Sequence, residues 1–418
     1  MAAPNPKKQK TTTADEVGWE SLPQDLLIAV ATRLRNLSTN IRFTGVCRSW
    51  RVAGLPDRRR LIGRQIPGLL LPRSDNSLGG TREFIQVTAI VNKKKKKKTK
   101  RRKVVPCRLR DCWSLCSGSV RGWILLLDSD LRLVLANPAT GSQVALPGGV
   151  GTGRRIKSGD FPKWGFWHSR RVTIWAPSAK VSDWFVFVML PGPHWKTYIK
   201  YCRVGAGRGW AVMEFPGCRS GVGFIVDALC SSLEAGYLYV LISTGELFRC
   251  NFAAKVAATT TTTRVVESSQ PLADPFKSGP EFNYLVEVEG QILVLHRNRE
   301  SQGSAEVYCR TRGFDVYGLD GEGKRWVEIK EIGVRGDFAV FLGFGQPFSI
   351  PADAESGIRG NCIYVLEVEQ YGCRERCCIG VFDLKTSNLD FFLAPSAFEE
   401  PYPGIPVRLP IPLAPVPW

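Results

Sequence analysis

Residues 236–248 read GYLYVLISTGELF, and this stretch decides the fold. From Tyr237 to Ile242 the run is continuously apolar and rich in aromatic and β-branched side chains, so it reads as a strand covered on both faces. A turn follows, and then a second strand ending in Leu247 and Phe248. The same scheme recurs over Gly122 to Leu146, Gly290 to Trp326 and Gly360 to Phe391. Between these lie further short apolar runs bounded by Gly, Pro, Asn or Asp, such as WFVFVML at 184–190, QILVLH at 291–296 and CIYVLEVE at 362–369. Helical periodicity is almost absent after residue 104. Antiparallel sheets repeated in series are what a β-propeller is made of, and a span of roughly 290 residues at about 40–50 per blade predicts about six blades over 104–394. A pair of elongated β-sandwiches is the rival architecture.

The bulk composition agrees with a turn-rich β-protein. Of 418 residues, 41 are Gly and 27 are Pro, too many for a protein of long helices. A chain of this length predicts more than one folding unit. The opening residues, MAAPNPKKQKTTTADEVGWE, lack the apolar core of a secretory signal, and no run is long and apolar enough for a membrane helix. The expectation is an intracellular chain of the nucleus, the cytoplasm or both, with no membrane partner. Thirteen cysteines without regular pairing fit buried thiols in a reducing compartment better than a disulfide framework.

The net charge is +19, which would ordinarily indicate an acidic partner such as nucleic acid. Its distribution argues otherwise. Lys93, Lys94, Lys95, Lys96, Lys97, Lys98, Lys100, Arg101, Arg102 and Lys103 form one block, and Lys7, Lys8 and Lys10 add to it. The rest of the chain is left at about +6. The block cannot enter a buried strand, and no aromatic residue interleaves with it as in a stacking surface. Nuclear import is the first reading for it, an electrostatic arm and a solvated loop the others.

The stretch before the β-region has a different pattern. Residues 1–18 are polar and predict disorder. Ser21 and Gln24 have capping-box spacing, and Pro23 suits a first helical turn. A helix is therefore predicted from near Leu22, with Leu26, Leu27, Val30 and Leu34 on one apolar face. Ser38 can cap a second helix carrying Phe43, Val46, Cys47 and Trp50 on one side, which Gly54 and Pro56 should end. So few helices sit near the lower limit of independent folding, and their apolar surface calls for a cover. The domain scheme is 1–18 disordered, 19–56 helical, 57–103 a linker and first strand region with the basic insertion at 93–103, 104–394 the propeller, and 395–418 a proline-rich tail.

Residues 19–51, WESLPQDLLIAVATRLRNLSTNIRFTGVCRSWR, resemble an F-box. The resemblance rests on Leu22–Pro23, Leu26–Leu27, Arg33–Leu34, Arg42–Phe43, Val46–Cys47 and Trp50–Arg51. It departs at Ala31, where a larger aliphatic is common, and at Asn40, where an acidic residue often stands. The remainder resembles a plant group in which an F-box precedes a kelch-like domain, on GLLLP at 68–72, GSVRGWILLLD at 118–128, NPATG at 137–141, FLGFGQPFSIP at 341–351, GNCIY at 360–364 and GVFDL at 380–384. The fold class implied is an α+β multidomain chain, a small all-α F-box followed by an all-β, six-bladed kelch-like β-propeller.

That resemblance implies a substrate-recruiting subunit of a ubiquitin ligase built from a Skp-type adaptor, a cullin and the F-box protein. By position, Leu22, Pro23, Leu26, Leu27, Ile41, Val46, Cys47 and Trp50 would contact the adaptor or support the contact, and the β-domain would hold an unknown protein substrate. The alternative is a basic propeller that binds nucleic acid or an acidic nuclear protein without a ligase.

Catalytic chemistry is not expected. His168, His194 and His296 are the only imidazoles, and no motif joins them to a nucleophile or carboxylate. Gly148, Gly149, Gly151 and Gly153 lack the Lys-Ser/Thr and the helix of a phosphate loop, so they read as a turn, as does GAGRG at 205–209. Cys107, Cys112 and Cys116, and Cys373, Cys377 and Cys378, lack paired zinc spacing, so no metal and no cofactor is expected. Six tryptophans between Trp164 and Trp210 suit a blade core, with one or two left as interface anchors.

Overall fold

The computed structural model describes Trp19, residues 22–34 and 37–63 and, from 68 to 413, the strands given below with most of the turns beside them. The chain forms two compact units, one ending at Gly63 and one comprising Arg64–Pro417. Among the described residues no helix is long and apolar enough to cross a membrane.

The first unit holds three helices, α1 (Gln24–Arg33), α2 (Leu37–Thr44) and α3 (Arg48–Gly63). Helix α1 begins two residues later than predicted. Its N-cap is Pro23, and Ser21 of the predicted capping box lies outside the described residues. Ser38 falls inside the first turn of α2. The predicted second helix is two helices, because the chain tightens at Gly45 and Val46, whose amides bond to Arg42 and Phe43 carbonyls three residues back. Gly54 and Pro56 do not end α3. Gly54 is there for close approach: a Cβ would stand 2.7 Å from Thr44 Cγ2 and 2.9 Å from Phe43 Cδ1.

The second unit is all-β. Its first sheet draws on both ends of the unit: β1 (Gly68–Pro72), β2 (Arg82–Gln86) and β3 (Lys103–Val105) are joined by β25 (Ile411–Leu413), which pairs antiparallel with β1. Five sheets then follow in chain order. One contains β4 (Leu115–Val120), β5 (Trp123–Leu127), β6 (Leu133–Ala136) and β7 (Gln143–Ala145). The next contains β8 (Val172–Trp175), β9 (Phe185–Pro191), β10 (Thr197–Arg203) and β11 (Ala211–Met213). A third is built from β12 (Ile225–Cys230), β13 (Tyr237–Ile242), β14 (Leu247–Asn251) and β15 (Thr262–Val266), and a fourth from β16 (Asn283–Val288), β17 (Gln291–Ser301), β18 (Cys309–Leu319) and β19 (Trp326–Glu328). The last has five strands, β20 (Phe338–Leu342), β21 (Phe348–Pro351), β22 (Cys362–Tyr371), β23 (Arg374–Asp383) and β24 (Asn388–Leu393), in the order β21-β20-β22-β23-β24.

These assignments correct the sequence reading in three places. Residues 104–394 hold five blade sheets, not about six, because successive sheets, which begin at Leu115, Val172, Ile225, Asn283 and Phe338, are spaced more than 50 residues apart. The remaining sheet uses residues assigned to the linker and the proline-rich tail; the tail supplies β25 because two strand residues other than Pro412 keep their amides for pairing. Of the Thr259–Thr263 run, taken as a loop, Thr262 and Thr263 open β15.

Radial order follows from strand neighbours. An edge strand of one sheet lies beside an edge strand of the next: β25 beside β4, β4 beside β8, β8 beside β12, β12 beside β16, and β16 beside β21. Two-sided burial explains the continuous apolar runs. Leu238, Val240 and Ile242 of β13 pack against Phe187, Met189 and Ile199 of the preceding sheet, while Tyr239 and Leu241 pack against Leu285, Ile292 and Val294 of the following one. The turn after β13 closes with Gly245 at φ +87°, whose amide bonds to the Ile242 carbonyl.

A buried ion pair ties the last two sheets together. Arg297 on β17 bonds to Glu367 on β22, and both side chains are almost fully enclosed. Arg297 Nε also donates to Thr311 Oγ1 at 2.7 Å, and the Thr311 amide donates to Glu367 at 3.1 Å. Burial works against the guanidinium charge, but Tyr284 and Glu367 beside it more than offset this and hold its pKa up. Removing one partner strands the other charge. We therefore expect Arg297→Met to lower unfolding free energy by about 3–5 kcal/mol in denaturant titration, and Arg297→Met with Glu367→Leu to recover most of that loss.

Candidate functional site

Among the described residues four side chains form the inner packing of the helical unit: Leu27, Ala31, Phe43 and Ala53, flanked by Leu22, Leu34 and Trp50. Phe43 and Trp50 rings meet at 4.6 Å, and Trp50 Nε1 donates to the Trp19 carbonyl at 3.1 Å. The two departures from the F-box pattern both sit in closely packed places. Ala31 has no exposed surface, and Asn40, equally buried, donates from Nδ2 to the Gly54 carbonyl at 2.9 Å, joining α2 to α3. A larger residue at 31 or a carboxylate at 40 would disturb that contact.

The outer surface is unusually apolar for so small a unit. Leu26 is 50% exposed, and Ile28 and Val30 on the same helix are also exposed. Val46 in the α2–α3 turn is 54% exposed, and Val52 and Leu55 on α3 and Trp19 before α1 are exposed as well. Leu26 and Val30 are four residues apart and Val52 and Leu55 three, so each pair makes a stripe along its helix. The single apolar face predicted for α1 is thus two faces: Leu27 turns inward with Ala31, while Leu26 and Val30 turn outward.

The residues singled out from the sequence divide accordingly. Leu26, Pro23 and Val46 are exposed; Leu22, Cys47 and Trp50 are half-buried; Leu27 belongs to the inner packing. Ile41 lies in α2, but its side chain is outside the described residues. Ile28, Val52 and Leu55 were missed, and Val30, placed on the apolar face of α1, was not among the expected contacts. Their signal was spacing relative to Leu27, Ala31 and Ala53: they sit on helix faces turned away from those positions.

In the β-unit, side chains satisfy the free edges of the first strands. Asp227 on β12 accepts from the Leu285 amide of β16 at 2.7 Å, Ser349 of β21 donates to the Glu287 carbonyl of β16 at 2.7 Å, and Gln346 Oε1 accepts from the Ile174 amide of β8 at 3.3 Å. The conspicuous tryptophans are structural where described. Trp184 is buried and donates to the Ser178 carbonyl, Trp210 donates to the Pro147 carbonyl, and Trp175 packs with Phe185 and Phe252. Trp164, Trp167 and Trp195 lie outside the described residues, as do Lys93 to Arg102, while Lys103 opens β3.

No reactive constellation comes together among the described residues. No group of three His, Cys, Asp or Glu is placed to hold a metal ion. Cys107, Cys112 and Cys373 are outside the described residues, and so are His168, His194, Gly149, Gly151 and Gly153. Gly205 and Gly207, at φ +73° and +64°, form the turn after β10 that was expected of GAGRG. Burial pushes the Cys362 thiol up to about 11 and the Cys202 thiol to about 12, which keeps both protonated and unreactive at neutral pH.

A chain of consecutive sheets with neighbouring edge strands and shared apolar layers defines a β-propeller protein. It belongs to the KIB1-4 β-propeller family, whose model matches residues 92–383. No curated protein matches the sequence. Solved structures with partial likeness include the β-propeller domain of Myceliophteria thermophila Cps50 (Swd1), at 8% identity and TM-score 0.34, covering 69% of this chain and 99% of that one. The catalytic domain of Coprinopsis cinerea GH62 α-L-arabinofuranosidase shows 14% identity and TM-score 0.29, covering 67% and 88%. Likenesses so distant assign no activity. The family match begins after the helical unit.

His296 behaves as a core residue. It is buried on β17 with Nδ1 2.8 Å from Asn283 Oδ1, and burial lowers its pKa from 6.5, only partly opposed by Asp315. The unfolded chain therefore takes up a proton at this site before the folded one does. Its contribution to stability is present above pH 6.5 and is lost as pH falls toward the depressed folded value. Wild type should lose more unfolding free energy between neutral pH and about pH 5 than His296→Gln does, measured by denaturant titration at each pH.

Proposed function

We propose that this chain is the substrate-recruiting F-box subunit of a Skp–cullin–F-box ubiquitin ligase. In this reading the helical unit docks on a Skp-type adaptor, itself held by a cullin, and the β-propeller binds the protein to be modified. The chain breaks and forms no bond itself. Holding a substrate beside the ubiquitin carrier replaces a bimolecular encounter with an intramolecular one, and effective concentrations near millimolar for flexible links are enough to raise the rate. The basic block at 93–103 serves nuclear import in the same reading.

The observation that carries the proposal is the pair of aliphatic stripes, Leu26–Val30 and Val52–Leu55, left exposed while Leu27, Ala31, Phe43 and Ala53 pack inward. Covering aliphatic surface contributes roughly 25 cal/mol per Å², so four such anchors offset the ordering cost of association. The F-box motif from Leu22 to Arg51 supports the identity of the partner, and membership of the KIB1-4 propeller family supports the second module.

The test is capture of a purified Skp-type adaptor by the full-length chain. Replacing Leu26 and Val30 with Asp puts charge into the stripe without touching Leu27 or Ala31, and should cut adaptor binding at least about tenfold. The melting curve of the β-propeller should not move. Equal capture by wild type and the double variant would rule out docking through this face.

A further inference from the structure

We infer that the surface seated on the α1–α3 face is acidic, an apolar groove rimmed by carboxylates. This inference rests on the docking reading and adds the chemistry of the partner. It starts from the charges that share the stripes. On α3, Arg48 stands four residues before Val52, and Arg51 four before Leu55; on α1, Arg33 stands three after Val30. Arg33, Arg42, Arg48 and Arg51 are all exposed, and Asp25 is the exposed carboxylate of α1. None of the four arginines has an ion pair among the described residues; Arg51 Nε reaches the Thr44 carbonyl at 3.3 Å.

Helix electrostatics account for only part of this pattern. Arg33 lies in the last turn of α1 and Arg42 in that of α2, where a cation complements the negative end of the helix. Arg48 and Arg51 lie in the first turn of α3, at its positive end, and no acidic residue is present there. Two cations at that end repel both the helix and each other. Arg51 is partly engaged within the unit, since its Nε donates to the carbonyl of Thr44, the last residue of α2; Arg48 makes no such contact among the described residues, and its placement becomes favourable when anionic groups come against it. The aliphatic stripes decide which anion. Phosphates of a duplex would meet the arginines but would leave Leu26, Val30, Val52 and Leu55 facing a charged backbone. An acidic protein groove covers both.

The experiment measures affinity of the full-length chain for a purified Skp-type adaptor while salt is raised from about 50 to about 500 mM, a range that shortens electrostatic reach severalfold. The chains compared are wild type, Arg48→Glu with Arg51→Glu, Arg48→Gln with Arg51→Gln, and Leu26→Asp with Val30→Asp. Circular dichroism melting checks that each is folded, and the Gln pair serves if the Glu pair is not. Wild-type affinity should fall about tenfold over the salt range, and the charge variants should bind about tenfold more weakly at low salt with a flatter dependence. Wild-type affinity and salt dependence in the Gln pair would overturn the acidic-groove inference; if the Asp variant still lost binding, the docking reading would stand without it. An adaptor that binds none of the four chains overturns both. Binding of a DNA or RNA duplex that depends on Arg48 and Arg51, with adaptor affinity unchanged by their replacement, overturns the inference in favour of nucleic acid.

Discussion

A unit of three short helices has too little interior to hide its own apolar side chains, and this constraint governs the whole helical end of the molecule. Leu27, Ala31, Phe43 and Ala53 use up the space between the helices. Gly54 sets the limit, since α2 and α3 are already so close that not even a methyl group fits between Gly54 and Phe43 without displacement. Leu26, Val30, Val52 and Leu55 have nowhere inside to go. Single exposed aliphatic side chains are ordinary on small units, whereas here they fall as a stripe on each of two helices, with Arg48 and Arg51 on the same side of α3 as Val52 and Leu55.

The β-unit meets the same demand by repetition. The sheet of β13 has a neighbour on both faces, so the strand is apolar from Tyr237 to Ile242 and buried at every position after Tyr237. Edges are the remaining difficulty, and they are met with side chains and with strand pairing: Asp227, Ser349 and Gln346 take backbone groups of the first strands, and β25 pairs with β1. A rigid scaffold with variable loops is well suited to recognition.

The legible parts of this structure were those written locally. Two-sided runs such as Tyr237–Ile242 announce a buried strand without any knowledge of what covers them. Pairing of Ile411–Leu413 with Gly68–Leu70 could not be read, because its partners lie at opposite ends of the unit and the proline content of the tail argues for an extended, unpaired segment. In the helices, adjacent residues Leu26 and Leu27 are about 100° apart around the axis, and either could have faced inward. The choice was made by the fit of Ala31 and Phe43. Gly54 and Pro56 carried the ordinary signal of a helix end, and close packing against α2 overrode it. The missed Leu55 follows from that error, since a helix expected to stop at Gly54 has no outer face beyond it.

The central claim is that residues of α1 and α3 are covered when the adaptor is present, and amide hydrogen exchange reads this residue by residue. With a Skp-type adaptor added, slowed exchange should appear over Gln24–Arg33 and around Val46–Leu55 while the strands of the β-unit exchange as before. Unchanged exchange in those helices, under conditions where the adaptor is in excess, would contradict the account.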